Sequence, residues 1–416
     1  MDWKQKLPIK IQQAVQKVDQ QIQPQIEEIN RRIDNNQAKV LEAFTDQHVA
    51  ESHLSGSTGY GHFDEGRQTL DKVYAQVFKT PAALVRPQFV SGTHTIAVGL
   101  FGCLKPGQKL LYITGKPYDT LQEVIGKNAQ QPGSLKEYGV QFKYQPLNAQ
   151  KNVDYDHLDS TLQEFQPDVV AIQRSRGYEV RPSYTVNQIA AMISFVKQRC
   201  PQTIIFVDNC YGEFSEEHEP TEYGADLMAG SLYKNAGGGL ATTGGYLVGR
   251  KDLIEQAAIR LTAPGIGSQE GATGPYLRGM IEGFFLAPQV TGNAIKGAIF
   301  TAALLEQLGF EVTPKWNEER TDLIQTIILG SGEKMVQFAR AIQKYSPIDS
   351  FVSPEASEMD GYEDKIIMAA GTFVEGSTIE LSADGPLRPP YALYLQGGLT
   401  YSHVRIAVAR ACAEIL

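Results

Sequence analysis

Cysteine is scarce in this chain, with four residues, Cys103, Cys200, Cys210 and Cys412, among 416. None stands in a C-x-x-C pair, and four thiols spread over this length do not make a disulfide framework, so buried or unpaired thiols in a reducing compartment are expected. Basic charge is not in excess either. Lys and Arg number 38 against 47 Asp and Glu, a net charge of −9. That balance argues against a nucleic-acid scaffold, which needs clustered cations, but does not bear on small anionic ligands, for which a few placed charges suffice. No apolar run approaches the ~20 residues that span a bilayer. The opening "MDWKQKLPIKIQQ" carries no apolar core of a secretory leader, so a cytoplasmic protein without a membrane or nucleic-acid partner is expected.

What is present is an ordinary globular composition, 42% hydrophobic and 20% charged, in a chain long enough for two or three structural units. Residues 9–45 place Ile11, Val15, Val18, Ile22, Ile26, Ile29 and Ile33 at steps of three and four, a helix period that Pro24 should kink or break. One apolar stripe implies that this arm lies on another surface, of its own domain or of a second subunit. Residues 51–67 are rich in turn formers and precede a helical pattern over 68–79. From about 85 to 250 the rhythm becomes strand, helix, strand. "KLLYIT", "PDVVAIQ", "TIIFVDN", "DLMAGS" and "GGYLVGR" read as strands, and "VNQIAAMISFVKQRC" as a helix. Continuous Val- and Ile-rich strands are those of a parallel sheet buried on both faces. Beyond about 290, "NAIKGAIFTAALLEQLGF" and "MVQFARAIQKY" read as helices, and "DKIIMAAGTF" and "VRIAVAR" as strands. The predicted organisation is a helical arm over 1–50, a large α/β domain over 51–290, and a smaller α+β domain over 291–416.

Three local features carry chemistry. In "VSGTHTIAVGL" a strand ends at Ser91-Gly92-Thr93 and a helix opens. Free backbone N–H groups and the helix dipole make such a turn a phosphate site, although a plain helix cap has the same appearance. In "IIFVDNCYGEF", Asp208 stands at the carboxyl end of a strand, where open α/β sheets bind ligands; a turn-capping aspartate is the alternative. In "GSLYKNAGGGLATTGG", Lys234 is an amine set among glycines and small residues. Alone it reads as a surface lysine. Together, in this order, the three are the parts for pyridoxal phosphate: a phosphate turn, a carboxylate for the pyridine nitrogen, and a lysine for the Schiff base.

The segments "GYGHFDEGR", "FVSGTHTIAVGLFGCLKPG", "ITGKPYDT", "VDNCYGEF", "GSLYKNAGGG" and "VRIAVA" resemble the fold-type I pyridoxal-phosphate enzymes of the Cys/Met metabolism group. Within that group the chain is most similar to the methionine γ-lyase-like branch, also known as aluminium resistance proteins, from about residue 40 to the end. The resemblance implies a mostly parallel sheet flanked by helices. It implies phosphate binding by Ser91, Gly92 and Thr93, with the Ser231 hydroxyl added. Tyr118 matches the aromatic that stacks on the cofactor ring, with His94 as a competing candidate. Tyr60 matches a segment that reaches the neighbouring subunit's phosphate, so a homodimer or homotetramer with a shared active site is implied. Asp64 and Arg67 lie in the same segment. The substrate carboxylate calls for an arginine clamp, and Arg405 matches the family's C-terminal arginine, with Arg388 of "GPLRPPY" as second candidate.

Two departures from the pattern bear on the reaction. Where these enzymes contact the cofactor's ring hydroxyl from a Ser/Thr-Pro-x-Asn turn, this chain has "RSRGYEVRPS", leaving Ser175 or Arg176 for that place. Lys234 is followed by "NAGGG" where better-known lyases carry bulkier residues. The expected activity is a carbon–sulfur lyase acting on a small sulfur-containing amino acid by β- or γ-elimination, with Lys234, Asp208 and Tyr118 as catalytic residues. A fold-type I aminotransferase or other lyase is an alternative, as is a cofactor-binding stress resistance protein with little turnover.

Overall fold

The computed structural model describes residues 2–127, 131–359 and 362–416. The chain opens with α1 (Ile9–Gln21) and α2 (Gln23–Asp46), with Pro24 in the first turn of α2. The missing N–H of Pro24 costs nothing there, so the predicted break takes the form of a new helix start. Ile11, Val15, Val18, Ile22, Ile29 and Ile33 are all buried in one cluster with the small domain and α9 (Leu277–Gln307). The arm therefore lies on its own chain. Each fully buried Ile or Val contributes about 1.5–3 kcal/mol to that attachment. Ile33 packs so closely on α9 that a Cβ at Gly292 would fall 2.3 Å from its side chain.

The large sheet is built from β1 (Ala82–Arg86), β2 (Lys109–Tyr112), β3 (Gln141–Tyr144), β4 (Val169–Gln173), β5 (Ile204–Asp208), β6 (Leu227–Ser231) and β7 (Gly245–Gly249). Their order is β1-β7-β6-β5-β4-β2-β3. Pairs among β3, β2, β4, β5 and β6 are parallel, and β7 runs antiparallel to both neighbours. Every residue of β4, β6 and β7 is buried, as the unbroken apolar runs require when helices cover both faces. Those helices are α3 (Glu65–Val77), α4 (Gly92–Cys103), α5 (Asp119–Ile125), α6 (Tyr155–Phe165), α7 (Val186–Arg199) and α8 (Lys251–Leu261).

The small domain is a second, antiparallel sheet in the order β10-β11-β12-β9-β8. Its strands are β8 (Glu311–Thr313), β9 (Gln325–Ile328), β10 (Ile366–Ala369), β11 (Ser382–Pro386) and β12 (Ala392–Gln396), and α10 (Gly332–Lys344) and α11 (Tyr401–Ile415) complete it. The segment "VRIAVAR", read as a strand from its branched residues, is instead the body of α11. The cause lies on either side of it. Thr400 caps the helix by accepting from His403 N–H (3.3 Å), and the buried Val404, Ala407, Val408, Ala411, Cys412 and Ile415 recur at helical steps. Among the described residues no helix is long and apolar enough to cross a membrane.

Candidate active site

The parallel strands converge on one cavity of about 670 Å³, where the carboxyl ends of β4, β5 and β6 meet the small domain. Ligands bind open α/β sheets at this edge. Ser91, Gly92, Thr93, Tyr118, Asp208, Ser231, Lys234 and Arg388 all line it, so the fold brings together most of the residues singled out from sequence.

The phosphate turn forms as its residues dictate. Ser91 is the cap of α4, its hydroxyl accepting from His94 N–H (3.0 Å). The turn then butts against the end of β6: a Cβ on Gly92 would sit 3.3 Å from Ser231 Cβ and 3.6 Å from Cys210 Sγ. Gly92 thus keeps the helix N-terminus and the Ser231 hydroxyl open to one small space, with positive helix dipole and hydroxyl donors directed at it. Thr93 Oγ1 lies 3.2 Å from the Tyr118 hydroxyl, which ties the turn to the aromatic wall.

Asp208 ends β5 and is buried, and Oδ1 accepts from Cys210 N–H (3.1 Å). Burial raises its pKa, opposed by the charge of Lys234. Lys234 opens the turn after β6. It has no ion pair among the described residues; its amine lies over the Tyr211 ring, 3.9 Å from the centroid. Burial alone would lower its pKa, but Cys210, Tyr211, Asp208 and Tyr118 outweigh that and raise it. The glycines that follow are packing devices. Gly238 has φ of 56°, and a Cβ there would lie 2.1 Å from the Gly283 carbonyl oxygen of α9. They let α9 support the lysine turn from below at backbone distance.

Three singled-out residues lie elsewhere in this chain. His94 turns away from the cavity: its Nδ1 accepts from Val90 N–H (3.2 Å) and its ring packs edge-on against Phe89. Arg405 is held by Asp19 of the arm and surrounded by the rings of Trp3, Phe300 and Tyr401. The ion pair with Asp19 holds it toward the arm rather than the cavity. Tyr60 is 71% exposed on a loop anchored by Asp64 and Arg67. Asp64 caps α3 (2.8 Å from Arg67 N) and accepts from Thr273 (2.6 Å), while the buried Arg67 donates to the carbonyls of Gly271 (2.6 Å) and Gln269 (3.0 Å). Of the pair expected near the ring hydroxyl, Ser175 donates to Asp322 (2.7 Å) and Arg176 to the Thr313 carbonyl (3.1 Å). Both line the cavity while committed to the small domain.

Sequence reading passed over several cavity residues. Cys210 and Tyr211 come two and three residues after Asp208, so their place was readable from the strand end. Tyr178 and Tyr362 had no such signal, because they arrive from a turn and from the small domain through tertiary packing.

The family model described as methionine gamma-lyase matches residues 11–416. The chain belongs to the methionine gamma-lyase family. Within it, YnbB of Bacillus subtilis (strain 168) is 52% identical over 396 residues, covering 95% of this chain and 93% of YnbB. A Clostridium novyi NT structure described as a carbon–sulfur lyase involved in aluminum resistance is 45% identical, with a TM-score of 0.94, and covers 99% of this chain and 97% of that one. YhfS of Escherichia coli, described as a pyridoxal-5'-phosphate dependent protein, is 17% identical with a TM-score of 0.62 over 92% of this chain and 96% of its own, and shows the shared fold.

Proposed function

We propose that this family member is a pyridoxal-phosphate-dependent carbon–sulfur lyase that acts on a sulfur-containing amino acid. The observation that carries the reading is the cavity's donor set. A buried carboxylate, an amine without an ion pair among the described residues, and an open helix N-terminus beside a serine hydroxyl face one space. These residues fit pyridoxal phosphate: Lys234 would hold the aldehyde carbon, Asp208 the ring nitrogen, and Gly92, Thr93 and Ser231 the phosphate. When bound, the cofactor supplies an electron sink for charge developing at the substrate Cα. The lyase name of the Clostridium relative supports carbon–sulfur cleavage as the outcome.

The remaining work belongs to side chains of this chain. With its amine free, Lys234 would be the group that takes the Cα proton. Arg388 lines the cavity and presents a planar, permanently charged group for the substrate carboxylate. Its ion pair with Asp364 (2.7 Å) orients the guanidinium at the mouth. The assignment of the clamp thus moves from Arg405 to Arg388. Tyr118, roofing the phosphate turn, is the ring-stacking aromatic. Tyr60 and Phe63 are 71% and 89% exposed, which supports a second copy of the chain covering this loop in a homodimer. Purification, a visible spectrum, and thiol and 2-oxo-acid assays over cysteine, methionine, homocysteine and cystathionine test the reading. A cofactor-loaded protein that releases neither product from any of them would refute it.

A further inference from the structure

The small domain holds a buried carboxyl group, beside a tyrosine that lines the cavity, that neither the fold nor the proposed chemistry yet uses. Asp384 lies within β11, in the interior of the antiparallel sheet, and is 4% exposed. It has no ion pair among the described residues. Its Oδ2 accepts from Gln396 Nε2 (3.1 Å), and its buried Oδ1 has no partner at regular hydrogen-bond geometry among the described residues. The Tyr178 hydroxyl adjoins the same carboxyl. Burial pushes the Asp384 pKa up to about 7, so the group exchanges its proton near neutrality. An unpaired acid inside a sheet is costly to retain without a task. Tyr178 follows β4 through Gly177, whose φ is 58°. Its ring lies 5.7 Å from that of Tyr362, and both tyrosines line the cavity with Lys234.

We propose that Tyr178 is the proton donor to the departing sulfur, and that Asp384 is the positioning residue that holds and recharges its hydroxyl. This rests on the carbon–sulfur lyase reading. As the C–S bond breaks, the bonding pair leaves on sulfur, and sulfur takes the Tyr178 proton to depart as a neutral thiol. The Tyr178 oxygen takes the Asp384 proton, and water reprotonates the carboxylate after the thiol has left.

The test compares two substrates that differ in the leaving group alone. One is S-methylcysteine or methionine, whichever the wild type cleaves, and the other carries chlorine at the same carbon. A thiolate needs a proton to leave and chloride does not. Tyr178→Phe is expected to lower kcat/KM for the thioether by about 100-fold or more while leaving the chloro substrate and the cofactor absorbance nearly unchanged. Asp384→Asn should show the same selectivity at smaller size. In cofactor-free protein at neutral pH, the infrared difference between wild type and Asp384→Asn should contain a protonated-carboxyl band. Equal losses on both substrates, no loss on the thioether, or absence of that band would overturn the proposal. Wild-type protein that cleaves neither substrate would instead bring down the lyase reading, and this inference with it.

Discussion

The Lys234 amine lies 3.9 Å from the centre of the Tyr211 ring, over its face, and Tyr211 is only three residues beyond Asp208. The ring's negative face and the nearby carboxylate both favour the ammonium form. The pKa of Lys234 is raised because the surrounding Cys210, Tyr211, Asp208 and Tyr118 outweigh the burial that would lower it. Attack on an aldehyde requires the neutral amine. Loading of pyridoxal phosphate onto cofactor-free protein should therefore accelerate from pH 7 to pH 9, as the small neutral fraction grows. Stopped-flow absorbance measures this directly, and a rate that does not change with pH would contradict it. Lys234→Ala should develop no absorbance of lysine-linked cofactor at any pH.

Asp208→Asn separates charge from shape. The amide retains an acceptor for Cys210 N–H but cannot stabilise a protonated ring nitrogen. Turnover should fall by about 100-fold or more, as for other removals of a preorganised charge, and cofactor affinity should fall as well. Because Asp208 is one of the groups raising the Lys234 pKa, the variant should also load cofactor at lower pH than wild type does. Equilibrium dialysis and the same stopped-flow measurement check both parts. Wild-type turnover in Asp208→Asn would remove the carboxylate from the mechanism.

The two arginines make opposite predictions. Arg388→Ala should raise KM for the amino acid by about tenfold or more, the loss expected when a charge-assisted pair is removed from a carboxylate. Melting temperature should change little, because Arg388 and its partner Asp364 are both substantially exposed. Arg405→Ala should leave KM unchanged and cost about 1 kcal/mol of stability through the lost pairing of arm and small domain. Steady-state kinetics with thermal unfolding distinguishes the pair. A selective KM effect at Arg405 would restore it as the clamp.

These two residues also mark how far the sequence could be read. Strands β4, β5 and β6 were visible because a buried parallel strand must be apolar along its whole length. Asp208 and Lys234 were visible because they sit at or just past the ends of β5 and β6, and the phosphate turn because Ser91 opens an apolar helix; the strand before it, β1, ends earlier, at Arg86. Arg405 lies in a segment whose branched residues suggested extended chain. The capping Thr400 and the helical step from Val404 to Ala411 settled it as helix, and the arm's Asp19, nearly 400 residues away, then fixed where its charge points. No local signal reports such a contact. Tyr178 and Tyr362 were hidden for the same reason: their place at the cavity depends on how the two sheets face each other.

A last prediction concerns a buried acid beneath the lysine turn. Glu213 is fully buried, accepts from the Tyr246 hydroxyl (2.7 Å), and has its second oxygen unpartnered among the described residues. Burial raises its pKa from 4.5 to about 8. The folded protein therefore holds a proton at Glu213 that the unfolded chain releases at lower pH. The sign follows from proton linkage: the stabilisation is complete below about pH 4.5 and is lost as pH rises toward 8. The full difference is on the order of 5 kcal/mol. Glu213→Gln keeps an acceptor for Tyr246 and cannot ionise, so its stability should vary less between pH 5 and 8 and should exceed that of wild type at the upper end. Urea unfolding across that interval measures both. Parallel stability curves for the two proteins would show that Glu213 does not change its proton over this range.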